Sequence, residues 1–281
     1  MVPFKIDLNG KVAAVTGGGG VLCSEFSKAL AQCGAKVAVL DLKKEAADAV
    51  AQEIESNGGN AIGVACNVLD KKSLSEAKKT VNEKLGTVDI LINGAGGNNP
   101  KGTTTKDYFD KSDLNKEDVK TFFDLDEDGV RFVFDLNFTG TLLTTQVFAP
   151  DMIDRDGVII NVSSMNAFTP LTRIPAYSGA KAAISNFTQW LAVHFSKSKI
   201  RVNAIAPGFF LTEQNKALLL DSEGKYTARS EKILSQTPMD RFGDKSELIG
   251  ALLFLTSNEA AGFVNGVILP VDGGFSAYSG V

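Results

Sequence analysis

Short runs of Val, Ile, Leu and Ala recur at 12–15, 37–40, 61–65, 90–92, 158–162, 202–205 and 267–269, mostly separated by longer stretches of helical composition. Runs such as Val158-Ile159-Ile160 are apolar at consecutive positions instead of alternating with polar ones, the pattern of strands covered on both faces. Strands alternating with helices point to a parallel sheet, because parallel neighbours can be joined only by a long crossover. The expected fold is α/β: a single doubly wound domain over residues 1–281, with a seven-stranded parallel sheet flanked by helices on both faces.

Two stretches, 98–129 and 209–236, break this rhythm. Both are polar and charged, and both follow the carboxyl end of a strand, where such a sheet opens its ligand crevice. Each reads either as a cover over substrate or as a solvated connection, and long insertions in compact domains are often functional. Hydrophobic residues at 44% supply a core, and a net charge of −4 argues against nucleic-acid binding as the main activity. Cys23, Cys33 and Cys66 lack a paired CxxC spacing and suit a reducing, cytoplasmic compartment. Residues 1–10 contain no long apolar run, so neither export nor a membrane span is expected.

The first strand runs into Thr16-Gly17-Gly18-Gly19-Gly20-Val21-Leu22-Cys23, ahead of a helical run at 24–32. Glycines allow a sharp turn and a close approach of backbone to a diphosphate, and a helix amino terminus adds free N–H groups. A bare strand-to-helix turn has the same appearance. The second strand ends at Asp41, whose carboxylate can accept hydrogen bonds from the ribose hydroxyls of an adenosine. Asp41 favours NAD over NADP, because it would repel a 2′-phosphate, although Lys43 and Lys44 could in principle meet one.

Tyr177 and Lys181 are four residues apart in a helical run and so share one face. An ammonium near a phenol lowers its pKa and turns it into a usable acid/base, and Ser164, thirteen residues earlier, could hydrogen-bond the same substrate oxygen. Alone, such a pair reads more readily as an exposed helix-surface contact, and only the other motifs outweigh that reading.

Taken together, these segments resemble the short-chain dehydrogenase/reductase family along essentially the whole chain, a family with a Rossmann-type fold. The shared marks are Thr16-Gly17 with its glycine turn, Asn93-Gly94-Ala95-Gly96, Asn137, Ser164, Tyr177-xxx-Lys181 and Pro207-Gly208. The resemblance implies that Gly17, Gly19, Gly20, Val21 and Leu22 meet the diphosphate, and that Asn93 to Gly96 border the adenosine half. It implies further that Lys181 also holds the nicotinamide ribose, that Asn137 supports a water-mediated proton relay, and that Pro207, Gly208 and Thr212 meet the nicotinamide end. Val21 and Cys23 stand where the family usually has glycine, and Asn67-Val68 replaces a usual Asp-Val at the adenine; an amide still hydrogen-bonds there. A homotetramer is implied as well.

Segments 122–126, 132–137, 163–168 and 270–281 resemble one branch of that family, which interconverts D-fructuronate and D-mannonate. Independently, a sugar acid needs a cation for its carboxylate and amides for its hydroxyls, which Arg173, Asn98, Asn99 and Asn166 could supply. Arg173 reads equally as a surface loop arginine. The rival readings are a reductase of a keto-gluconate or 3-oxoacyl substrate, and a dinucleotide sensor without activity, which would have no use for the Tyr177 hydroxyl.

Other signals point away from chemistry. Asp124, Asp126 and Asp128 mimic the start of a calcium loop but fit the amino terminus of the following helix better, and no metal site is expected. His194 lacks partners at metal spacing, and Phe187, Trp190 and Leu191 form a helical stripe suited to core or subunit contact.

Overall fold

The computed structural model describes residues 6–212 and 215–280. Residues 1–5 of the amino-terminal segment, Glu213 and Gln214 of the second insertion, and Val281 of the carboxyl-terminal segment lie outside the described residues. The strands are β1 (Val12–Thr16), β2 (Lys36–Asp41), β3 (Asn60–Ala65), β4 (Ile90–Asn93), β5 (Gly157–Val162), β6 (Ile200–Pro207) and β7 (Ile268–Val271). They form one parallel sheet in the order β3-β2-β1-β4-β5-β6-β7. Chain order reverses between β1 and β4, which opens a crevice at their carboxyl ends.

The period-two geometry of a strand sorts the apolar runs onto two faces. From β1, Ala13 and Val15 enter one core with α1 (Val21–Gln32), α2 (Lys44–Ser56) and, later in the chain, the Leu252 and Leu255 side chains. Val12 and Ala14 enter the other, with α3 (Lys71–Lys84). The connection after β4 carries three single 3₁₀ turns before α4 (Glu127–Phe134), which passes through a π-helical turn at Asp135–Thr139 into α5 (Gly140–Phe148). The helical path that follows the acidic segment is thus continuous through Phe148 but widened at 135–139.

After β5, α6 (Pro175–His194) opens with Pro175 in its first turn, where a missing N–H costs nothing. His194 stacks on Trp190 with ring centroids 4.5 Å apart. The second insertion holds the short α7 (Lys216–Leu219) and α8 (Ala228–Leu234); α9 (Ile249–Thr256) and α10 (Asn258–Ala261) precede β7. No helix among the described residues is long and apolar enough to cross a membrane.

Candidate active site

The glycine turn closes without side-chain help. Gly17 has φ +64°, and a Cβ on it would stand 2.9 Å from the Ala95 backbone, so the turn and the strand end that faces it are packed too closely for any side chain. Gly20 caps α1 with no side-chain hydrogen bond, and the helix begins at Val21, three residues ahead of the expected 24. Val21, Leu22 and Cys23 therefore belong to the first helical turn, where N–H groups are free to bind an anion. Asp41 Oδ2 accepts from the Gly19 N–H at 3.1 Å and Oδ1 from that of Lys43 at 3.0 Å, which fixes the carboxylate beside the glycine turn. The Lys44 ammonium pairs with Asp48, so it is engaged away from any phosphate at Asp41.

Cys23 explains its own departure from glycine. A Cβ on Gly94 would lie 2.2 Å from Cys23 Sγ, so the thiol occupies the space that a residue-94 side chain would need. Burial pushes this thiol up to about 12, which leaves it a packing group and not a nucleophile. Thr16 Oγ1 accepts from the Gly94 and Ala95 N–H groups at 3.1 and 3.3 Å, fixing the start of the loop that follows β4.

Around Tyr177, three elements converge. Ser164 caps a 3₁₀ turn at the end of β5, accepting from the Asn166 N–H at 3.3 Å, and its hydroxyl is near enough to the Tyr177 phenol to lower its pKa. Lys181 is buried and donates to the Val162 carbonyl at 2.8 Å, with Nζ 5.5 Å from the centre of the Tyr177 ring. Asn137 lies in the π-helical turn and donates to the Gly97 and Val133 carbonyls, each at 2.7 Å. A Cβ on Gly96 would be 2.6 Å from Asn137 Oδ1 and 3.2 Å from Lys181 Nζ, so both polar ends crowd one point beside the loop after β4.

The electrostatics correct one expectation. Lys181 was expected to acidify the phenol, but its ammonium, 5.5 Å from the ring centre, donates to the Val162 carbonyl instead of to the phenolic oxygen. Burial instead pushes Tyr177 up from its ordinary value, and the Ser164 hydroxyl pulls it partly back. Lys181 itself is pushed down to about 8 by burial.

One cleft of about 480 Å³ gathers Gly17, Gly20, Val21, Leu22, Asp41, Gly94, Ala95, Gly96, Tyr177, Lys181, Gly208 and Thr212 from the expected set. Gly19 adjoins it through Asp41, and Pro207 ends β6 one residue before it. Others of the set sit elsewhere. Asn93 turns its amide into the core, donating to Thr145 Oγ1 and Asn161 Oδ1, and Val68 packs under Gly140. Asn67 Oδ1 accepts from the Leu69 N–H, Asn98 donates to Thr103, Asn99 caps a turn at Lys101, and Asn166 is buried with its Oδ1 unpaired.

Sequence reading missed Val162, Gly97, Phe209, Phe210 and Asn215, which also line the cleft. Asn215 donates to the Phe210 carbonyl and accepts from the Thr212 N–H, both at 2.8 Å, and so clamps the loop after β6. An Asn three residues after Thr212 was the available signal for such a side-chain turn.

The two insertions meet at Asp107. Its Oδ1 accepts from Thr172 Oγ1 at 2.9 Å and Arg173 Nε at 2.7 Å, and its Oδ2 from Lys232 on α8. Arg173 is half exposed, just before α6. Asp126 caps α4 through the Gly129 N–H, Asp124 bonds Thr121, and Asp128 pairs with Arg131. Among the described residues no group of three His, Cys, Asp or Glu side chains is placed to hold a metal ion.

A doubly wound parallel sheet with a glycine-lined cleft at its switch point defines a dinucleotide-binding enzyme class. The chain belongs to the short-chain dehydrogenase family: the model described as short chain dehydrogenase matches residues 11–223. An uncharacterized oxidoreductase of Haemophilus influenzae is 61% identical over 98% of this chain and 96% of its own length. A Haemophilus influenzae crystal structure, of a protein proposed to be a D-mannonate oxidoreductase and solved with bound NAD, superposes with a TM-score of 0.95 at 59% identity, covering 100% of both chains. An uncharacterized oxidoreductase, UxuB, of Bacillus subtilis is 50% identical over 100% of both.

Proposed function

We propose that this oxidoreductase uses NAD(H) to interconvert D-fructuronate and D-mannonate, with Tyr177 as its acid/base. The observation that carries the chemistry is the Ser164–Tyr177–Lys181 group at the edge of the glycine-lined cleft, with Ser164 and Lys181 buried and Tyr177 half-buried. The likeness to the NAD-bound Haemophilus influenzae structure supports cofactor and substrate class together.

The residues present fit the cofactor. The side-chain-free turn at Gly17 and Gly20 and the open end of α1 would take the diphosphate, and Asp41 the adenosine ribose. Gly94 to Gly96 would lie along the cofactor, with Pro207, Gly208 and Thr212 at the nicotinamide end; Asn67, Val68 and Asn93 support this frame from outside the cleft. When bound, the nicotinamide supplies or accepts the hydride. Asp41→Ala is expected to erode the preference for NADH over NADPH by about tenfold or more, since a like charge opposes the 2′-phosphate; a preference left intact in coenzyme titrations would assign selectivity elsewhere.

In the reducing direction the neutral phenol of Tyr177 donates its proton to the substrate oxygen, which the Ser164 hydroxyl holds in place. A phenol kept protonated by burial is already in the form this step needs. Lys181, with its ammonium lowered to about 8, can return a proton to the tyrosine side, and Asn137 fixes the lysine's surroundings. Arg173 is the cation for the substrate carboxylate, with Asn98 and Asn166 framing the sugar. Arg173→Ala is expected to raise KM for the sugar acid far more than it changes the Kd for NADH; equal losses would remove it from the substrate site.

The insertions at 98–129 and 209–236 cover the substrate, and the assembly is a cytoplasmic homotetramer using exposed α6 residues such as Trp190 and Val193. Mixing the purified protein with NADH and D-fructuronate, with other keto acids and NADPH as comparators, tests the reading. Loss of nicotinamide absorbance with fructuronate supports it; turnover only of other carbonyls overturns it.

A further inference from the structure

A sugar acid carries its carboxylate at some distance along the chain from its reacting carbonyl, so a cation is needed away from Tyr177. Among the described residues lining the cleft the only cation is Lys181, already bonded to the Val162 carbonyl. At the entrance to α6 a different arrangement stands ready. Thr172, Arg173 and Lys232 converge on the single carboxylate of Asp107. Arg173 precedes Tyr177 by four residues, a span of at most about 14 Å even when fully extended.

Two cations on one carboxylate leave one positive charge in excess, and among the described residues neither cation contacts another acid. Asp107 reaches Arg173 through Nε, so the fork of Nη1 and Nη2 can still grip a second carboxylate end-on. The Lys232 side chain is 65% exposed, and a primary ammonium has three N–H donors for the single acceptor it meets here. The Asp107 side chain is only 16% exposed, and its partners hold its carboxyl far below the ordinary range, so it remains an anion that ties the two cations together at working pH.

We propose that Lys232, contributed by the second insertion, is the other half of a two-cation receptor for the substrate carboxylate, with Arg173 as its partner and Asp107 as the residue that positions both. The inference rests on the sugar-acid reading given above and adds to it a specificity residue from the second insertion. It explains why the insertions are joined by an ion pair: the substrate's own charge completes the junction between them.

The test compares D-fructuronate with D-fructose, which lacks the carboxylate, in the wild type and in Lys232→Met, Lys232→Arg and Lys225→Met. Lys232→Met is expected to raise KM for fructuronate about tenfold, the low end for a charge-assisted contact that is partly solvated, with kcat and the Kd for NADH nearly unchanged. Lys232→Arg keeps most of the affinity. Lys225, paired with Glu223 on the same insertion, reports any effect of net charge alone and is expected to be silent. A wild type that does not distinguish fructuronate from fructose defeats the sugar-acid reading itself. A wild type that prefers fructuronate, with Lys232→Met unchanged in KM or matched by Lys225→Met, defeats the receptor alone.

Discussion

Tyr177→Phe binds NADH as the wild type does and loses two or more orders of magnitude in turnover with D-fructuronate. The substitution removes one oxygen and keeps the ring, whose packing against Val133, Ala176 and Ala180 holds the start of α6 in place. The fold and the glycine-lined part of the cleft are therefore preserved, and the loss falls on proton transfer, a step for which removal of the acid costs about 10²–10⁴-fold. NADH fluorescence titration measures the first half of the expectation and steady-state rates the second. Turnover within a few-fold of the wild type would mean that another group delivers the proton. Ser164→Ala should cost less, because Tyr177 still reaches the oxygen when the hydroxyl that steadies it is gone.

The fold was legible in the apolar runs because residues such as Ile159 and Ile160 are buried on opposite faces of the same sheet, which leaves a dense signal with no alternation. The exception is β7, displaced to 268–271 from the expected 267–269: its residues are only partly buried and it contains Pro270, so the apolar run marks it poorly. Site residues whose role depends on backbone shape were equally legible. Gly17, Gly94 and Gly96 declare themselves because a side chain there would strike a neighbour.

Direction and long-range pairing were not legible. Asn93 follows three buried apolar residues, and only the assembled sheet decides that its amide faces Asn161 on β5 and not the cleft. The spacing of Tyr177 and Lys181 places both on one face of α6, yet it does not say whether the ammonium meets the phenolic oxygen or the ring. Tertiary structure gave Nζ the Val162 carbonyl as its partner, with the ring centre 5.5 Å away. Asp107 and Lys232 are 125 residues apart, in stretches without periodicity, so no local pattern could have joined them.

Lys181→Met is the second large expectation, and it separates what this lysine does for chemistry from what it costs the fold. Turnover is expected to drop by at least two orders of magnitude, because the proton source behind Tyr177 is lost. Stability follows a different course. The unfolded chain holds this proton up to the ordinary lysine value of 10.5, whereas the folded chain releases it near 8. Between those values the unfolded state binds more protons, so wild-type stability rises with pH across that window, and below it the full penalty of a buried ammonium remains. A displacement of this size corresponds to about 3 kcal/mol, none of which Met carries. Deleting Nζ also leaves the Val162 carbonyl without its donor, at a cost of about 1–3 kcal/mol that does not depend on pH. The discriminating quantity is therefore the slope: thermal or urea unfolding of the ligand-free proteins should show wild type gaining on Lys181→Met from about pH 8 to pH 10. Parallel stability curves for the two would mean that the folded chain already compensates the lysine's charge, and a lysine so compensated would have no lowered pKa to offer the reaction.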